Sequence, residues 1–190
     1  MLVQNPNSSK ATVNITYMTP KGPVAQPAFT MYPNSRKTIN VNQVVPAKDL
    51  SIDVKGSLPI IAERAMYWDK GTGEACHDAI GMDSPHMNFY LPDGETGPGM
   101  ETWTLVQNPN DSPVTVKISY LTQGGKGGQS FTDKVPANSR KSYTLSDVFS
   151  TGRAAILVQS QNKGLPIMVE RSMYWNNRGA GTDTIGGFSD

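Results

Sequence analysis

Apolar and polar residues alternate with a period of two in a run near the start of the chain. Ala11, Val13, Ile15 and Tyr17 share one side, and Thr12, Asn14 and Thr16 share the other. Such alternation, rich in β-branched residues, predicts a half-buried strand. The pattern returns about a hundred residues later, with Val114, Val116, Ile118 and Tyr120 against Thr115, Lys117 and Ser119. Breaker clusters follow both runs, Pro20-Lys21-Gly22-Pro23 in the first and Gly124-Gly125-Lys126-Gly127-Gly128 in the second. A second strand is expected around Phe29 and Met31, and again around Phe131. A third is expected over Thr38, Ile39 and Val41, ahead of a loop from Asn42 to Leu50 with room for one helical turn. Ser146-Asp147-Val148-Phe149 matches that loop in the second half. A fourth strand is expected at Ile52-Asp53-Val54 and at Ile156-Leu157-Val158. The fifth is the apolar run that leads into Glu63-Arg64-Ala65-Met66-Tyr67-Trp68, followed by a hairpin-like loop at Asp69–Glu74 and a short strand near Ala79-Ile80. No stretch sustains a 3.6-residue apolar period, so the elements predicted are strands and turns.

These runs are copies of one another. Glu63-Arg64-Ala65-Met66-Tyr67-Trp68 recurs as Glu170-Arg171-Ser172-Met173-Tyr174-Trp175, and Leu2-Val3-Gln4-Asn5-Pro6-Asn7 recurs as Leu105-Val106-Gln107-Asn108-Pro109-Asn110. Asn34-Ser35-Arg36-Lys37 and Asp78-Ala79-Ile80-Gly81 return as Asn138-Ser139-Arg140-Lys141 and Asp183-Thr184-Ile185-Gly186. Self-similarity at a fixed period identifies a repeat architecture. The expected fold is all-β: two tandem antiparallel β-sandwich domains, immunoglobulin-like or jelly-roll-like, over residues 1–84 and 85–190 with the boundary near Ser84-Pro85. Units of this size bury enough surface to fold without disulfide or metal staples.

Composition narrows the function classes. Seventeen Lys and Arg against sixteen Asp and Glu leave a net charge of +1, so no overall field draws nucleic acid or anionic lipid. The single cysteine, Cys76, excludes an intrachain disulfide framework without deciding the redox compartment. No apolar run approaches the ~18 residues of a membrane helix, and no basic-then-apolar signal segment opens the chain. Met1 sits directly on a repeat already under way, which gives the chain the look of a fragment whose leader or anchor lies elsewhere.

The two copies differ at their starts. The second is preceded by Asn88-Phe89-Tyr90-Leu91, a Gly/Pro turn from Pro92 to Gly99, and Met100 to Val106, which together predict a hairpin entering the repeat. The first copy has only Met1-Leu2-Val3. Either the first unit is short of a strand or Asn88–Leu91 serves it instead. A missing strand leaves an open sheet edge, a route to pairing with a neighbouring repeat or with another copy of the chain.

Candidate chemistry is sparse. Cys76-His77-Asp78 has metal-ligating residue types, but zinc wants about four ligands, only His86 could join, and the second copy carries Gly181-Thr182 in place of Cys76-His77. Adjacent strand residues also face opposite ways, which argues against the pair as nucleophile and base. No metal or cofactor is expected. Glu63, Arg64, Glu170 and Arg171 are charges inside an apolar strand, and a buried arginine needs a carboxylate or carbonyl partner. Arg64 is expected to cap loop carbonyls or pair with Asp78, and Arg171 to do the same with Asp183. Trp68, Trp103 and Trp175, with Tyr67, Tyr90 and Tyr174, either fill cores or form a sugar-stacking platform, and Tyr67, Tyr90 and Tyr174 are the candidate ligand contacts. Asn5-Pro6-Asn7 and Asn108-Pro109-Asn110 are turn chemistry. No residue set resembles an active site, so the chain is not expected to be an enzyme.

The Leu-Val-Gln-Asn-Pro-Asn, Asn-Ser-Arg-Lys, Glu-Arg-x-Met-Tyr-Trp and Asp-x-Ile-Gly motifs together resemble a functionally uncharacterised tandem-repeat family of bacterial surface and secreted proteins. That resemblance covers nearly the whole chain, and it implies an extracellular or envelope location. Val135-Pro136-Ala137-Asn138-Ser139-Arg140-Lys141 and the Pro166-Ile167-Met168-Val169 strand are more distantly similar to the sensory rhodopsin transducer family, whose members are oligomeric β-sandwiches. The functional expectation is a non-catalytic structural, spacer or adhesion module. A carbohydrate-binding module and a signalling transducer domain are the alternatives.

Overall fold

The computed structural model describes residues 1–70 and 73–190. The chain opens with β1 (Leu2–Asn5), β2 (Ala11–Thr19), β3 (Gly22–Met31) and β4 (Ser35–Thr38), followed by one helical turn, α1 (Val41–Val44). β5 (Ser51–Gly56), β6 (Ile61–Lys70) and β7 (Gly73–Ile80) complete the first set of strands. The second set is β8 (Asn88–Leu91), β9 (Glu95–Thr96), β10 (Glu101–Asn108), β11 (Val114–Leu121), β12 (Gln129–Val135) and β13 (Ser139–Thr144). It continues with β14 (Gly152–Arg153), β15 (Ala155–Ser160), β16 (Met168–Trp175), β17 (Ala180–Thr184) and β18 (Gly187–Ser189).

Unit one is built from sheets ordered β4-β1-β6-β7 and β3-β2-β5, and unit two from β13-β10-β16-β17 and β12-β11-β15-β8-β18. All pairings are antiparallel. The fold is therefore an all-β, sandwich-type one. Each unit has its own core. Val3, Val13, Ile15 and Tyr17 centre the first, and Val106, Val116, Ile118 and Tyr120 centre the second. The alternating residues of β2 and β11 face inward as their period requires, each side chain contributing about 1.5–3 kcal/mol on burial.

The turn after β1 shows how closely the copies agree. Asn5 is fully buried, donates from Nδ2 to the carbonyls of Ser9 and Tyr32, and accepts from the Asn7 amide. Asn108 repeats this with Ser112, Pro136 and the Asn110 amide. Asn34 and Asn138 both take φ 48° in the matching turns, a conformation Asn tolerates better than most residues.

Three expectations change. The third strand lies over Ser35–Thr38 rather than reaching Val41, because the Asn40 side chain accepts from the Asn42 amide and starts α1 there. The segments before and after Pro92–Gly99 do not form a hairpin. β8 pairs with β15 and β18, whereas β10 pairs with β13 and β16, so the turn carries the chain across the sandwich. The strand expected near Ala79-Ile80 begins at Gly73, and within the loop expected at Asp69–Glu74, Gly71 and Thr72 lie outside the described residues.

Candidate functional site

In an antiparallel ladder, residues directly opposite each other share a side of the sheet. Val3 lies opposite Ala62, so Arg64, Met66 and Trp68 share the core side of β6 with the buried Val3. Val106 opposite Val169 places Arg171 and Met173 in the same way on β16. Glu170 lies opposite Leu105 and Asp183 opposite Ser172, which puts both on the outer side of unit two. The outer face of unit two packs against the part of unit one's inner face that its own shorter sheet leaves uncovered. β7 and β17 meet there.

Arg64 is the centre of this contact. Its guanidinium grips Glu170 in a fork, Nη1 to Oε2 at 3.1 Å and Nη2 to Oε1 at 2.5 Å, and also bonds Asp183. His77 Nδ1 lies 2.7 Å from Asp183 Oδ2, and its Nε2 lies 3.2 Å from the Tyr174 hydroxyl. Trp68 stands edge-on to both the His77 and Tyr174 rings, and its indole N–H donates to the Arg178 carbonyl at 2.6 Å. The Asp183 side chain is 1% exposed. Burial works against its charge, but His77 and Arg64 outweigh it and hold the carboxyl below its usual range. Glu170 moves the other way. Burial raises its pKa, Arg64 opposes that, and the neighbouring Asp183 carboxylate adds to the rise. At the other end of the interface Arg140 donates to the Leu50 carbonyl at 3.2 Å and Gln107 donates to the Met18 sulfur at 3.1 Å.

The expected Arg64–Asp78 and Arg171–Asp183 pairs do not form. Arg64 lies opposite Ala79 and Arg171 opposite Thr184, so each aspartate, one residue along, points to the other face of its sheet. Arg171 instead caps a loop carbonyl, donating from Nη1 to Asp93 at 2.5 Å. Asp78, like Cys76, lies exposed on the outer side of β7, while His77 between them is buried. Among the described residues no group of three or more His, Cys, Asp and Glu is placed to hold a metal ion. Glu63 lies on the outer side of β6, opposite Leu2.

The three candidate tyrosines stand on three different sheets. Tyr67 on β6 is 79% exposed, Tyr90 on β8 is 48% exposed, and Tyr174 on β16 is half-buried between the units with Arg178 over its ring. Trp175 is at the surface, and Trp103 donates to Glu101, which also holds Arg178. His77, Gln107 and Arg140 were not singled out as contact residues from sequence. The repeat does not mark the last two: their copies Gln4 and Arg36 stand in the same motifs and are exposed, so identical motif residues serve different surroundings.

A cleft of about 780 Å³ opens beside β5. Its walls include Ile52, Val54, Leu58 and Ile60 of unit one, with Gln107 and Met168 of unit two across from them. Among the described residues β5 pairs only with β2, whereas its counterpart β15 pairs with both β11 and β8. The difference shows in burial. Ile156, Val158 and Ile167 are at most 1% exposed, and their copies Ile52, Val54 and Ile60 are only half-buried.

No family model matches the chain, and no curated protein matches it in sequence; the motif likeness to a tandem-repeat surface family gains no support there. Solved structures resemble it, two of them as follows. The crystal structure of Thermotoga maritima 1070 aligns with a TM-score of 0.46 at 14% identity, covering 54% of this chain and 91% of that one. The Anabaena sensory rhodopsin transducer aligns with a TM-score of 0.40 at 19% identity, covering 48% of this chain and 91% of that one. Neither likeness bears on what the chain does.

Proposed function

We propose that the chain is a non-catalytic structural module, a spacer or adhesion element of the kind that its motifs resemble in bacterial surface and secreted proteins. The observation that carries this reading is the contact between the units. The fork from Arg64 to Glu170, the bond to Asp183 and the ring packing of Trp68 on Tyr174 all tie one unit to the other. Charged and aromatic groups of the repeat signature thus fix two sandwiches at one angle, as a spacer requires. Neighbouring modules joined only by a linker move relative to one another by default. Solution X-ray scattering of the native chain tests the reading. A single rigid particle with the dimensions of the packed pair is the expected result, and a broad ensemble of separated units overturns it. A glycan array run beside it decides against the spacer role if saturable binding appears and Tyr67→Ala removes it from a still-folded chain.

A further inference from the structure

The repeat supplies its own template for what the open cleft holds. β5 and β15 occupy the same place in their units: Tyr17 lies opposite Ile52 as Tyr120 lies opposite Ile156, and Ile15 opposite Val54 as Ile118 opposite Val158. On the far side of β15 runs β8, antiparallel, with Leu91 opposite Ile156 and Phe89 opposite Val158. Phe89 and Leu91 are at most 1% exposed and close the core of unit two. Unit one has the same receiving strand and the same inward side chains. Among the described residues no strand lies in the slot, and the cleft of about 780 Å³ is there instead, within the roughly 300–1,000 Å³ usual for built ligand sites.

We infer that this cleft is a strand-acceptor site. It takes an extended segment of a different protein chain, carrying an aromatic and a leucine two residues apart like Phe89-Tyr90-Leu91, which pairs antiparallel with Ser51–Gly56. The incoming leucine faces Ile52 and the aromatic faces Val54, so both side chains enter the cleft and the residue between them points to solvent. Main-chain bonds to the β5 edge give affinity, and the two pockets give specificity, as in other strand-addition complexes. The outward residues of β5 set no charge preference, because Asp53 and Lys55 pair with each other at 2.9 Å. A second copy of this chain does not offer the segment, since its own β8 is held between β15 and β18 with Phe89 buried. The inference deepens the structural-module reading by naming what such a module would join, and its test is separate from scattering, so each can fail alone.

The probe is a synthetic peptide of residues 86–93, blocked at both ends, titrated against the full chain by calorimetry with backbone hydrogen exchange on the complex. The expected result is saturable one-to-one binding that slows exchange at Ser51–Gly56. A peptide carrying Phe89→Asp and Leu91→Asp, which leaves the protein untouched, is expected to bind at least about tenfold more weakly, since each lost apolar contact is worth about that much. Absence of binding, equal binding of the aspartate peptide, or protection outside β5 overturns the proposal. So does protection of β5 that rises with the concentration of the chain alone, which would make a second copy the occupant.

Discussion

Arg64 and Arg171 are the same residue of the same signature, yet they do different things. Both stand on the core side of the same strand. In unit two the crossover after β8 runs past the end of that strand, and Arg171 caps its Asp93 carbonyl. Among the described residues unit one has no counterpart of β8 or of the crossover, and Arg64 meets the outer face of unit two with Glu170 and Asp183. The same absence leaves β5 as an edge and opens the cleft. A strand missing from one unit thus rewires a repeated arginine from an internal cap into a bond between units. What a signature residue does depends on which neighbouring strand is present.

Substitution of the two arginines separates these roles most strongly. Arg64→Ala leaves Glu170 without its cation and Asp183 with His77 alone, and breaking a buried pair of this kind costs up to about 3–5 kcal/mol. Thermal unfolding of that variant is expected to split into two transitions as the units lose their grip on each other. Arg171→Ala removes one bond to a carbonyl, a loss of about 1–3 kcal/mol, and is expected to leave a single transition. Equal effects would break the comparison.

The next largest contrast lies in a pair of glycines. Gly186 has φ +65°, and a Cβ there would collide with the Tyr90 carbonyl oxygen and come within 2.7 Å of the Leu91 side chain. Gly186→Ala is expected to loosen the seat of β8 and cost about 1–3 kcal/mol in denaturant unfolding. At the matching Gly81 no strand among the described residues stands over the turn, and a Cβ would meet the Ala62 carbonyl oxygen at 3.2 Å. Gly81→Ala is expected to cost less than about 1 kcal/mol. If the two cost the same, the added strand is not what makes the glycine necessary.

The smallest effect is a pH slope. Burial raises the pKa of Glu170 above its ordinary 4.5. A carboxyl whose folded value is raised contributes stability that is complete below its unfolded pKa and lost as pH climbs through the folded one. Glu170→Gln has no proton to lose there. Its melting temperature relative to the native chain is therefore expected to improve as pH rises from about 4.5, while its fork to Arg64 weakens at every pH. A constant difference across that range would mean that Glu170 titrates as an exposed carboxylate does.

Much of the fold was legible in residues 11–17 and 114–120, where strict alternation assigned the faces of β2 and β11. The Asn5 and Asn108 turns were equally legible, because their hydrogen bonds run to residues nearby in sequence and to the next strand of the same unit. The aspartate partners of the arginines were not. Whether Arg64 and Asp78 share a side depends on the register of β6 against β7, and a shift of one residue reverses it. Likewise Pro92–Gly99 is long enough either to fold back beside β8 or to cross to the opposite sheet, and only the finished sandwich selects the crossing.

The sequence by itself determined that the chain is two copies of one β unit, which side chains of β2 and β11 go inward, and where the Asn5 and Asn108 turns fall. Those follow from local alternation and backbone preference. The tertiary structure decided which sheet each strand joins, which charge each arginine meets and which edge stays open. Those depend on contacts between residues as much as 119 positions apart, as Arg64 and Asp183 are, and such contacts exist only once both sandwiches have closed and packed.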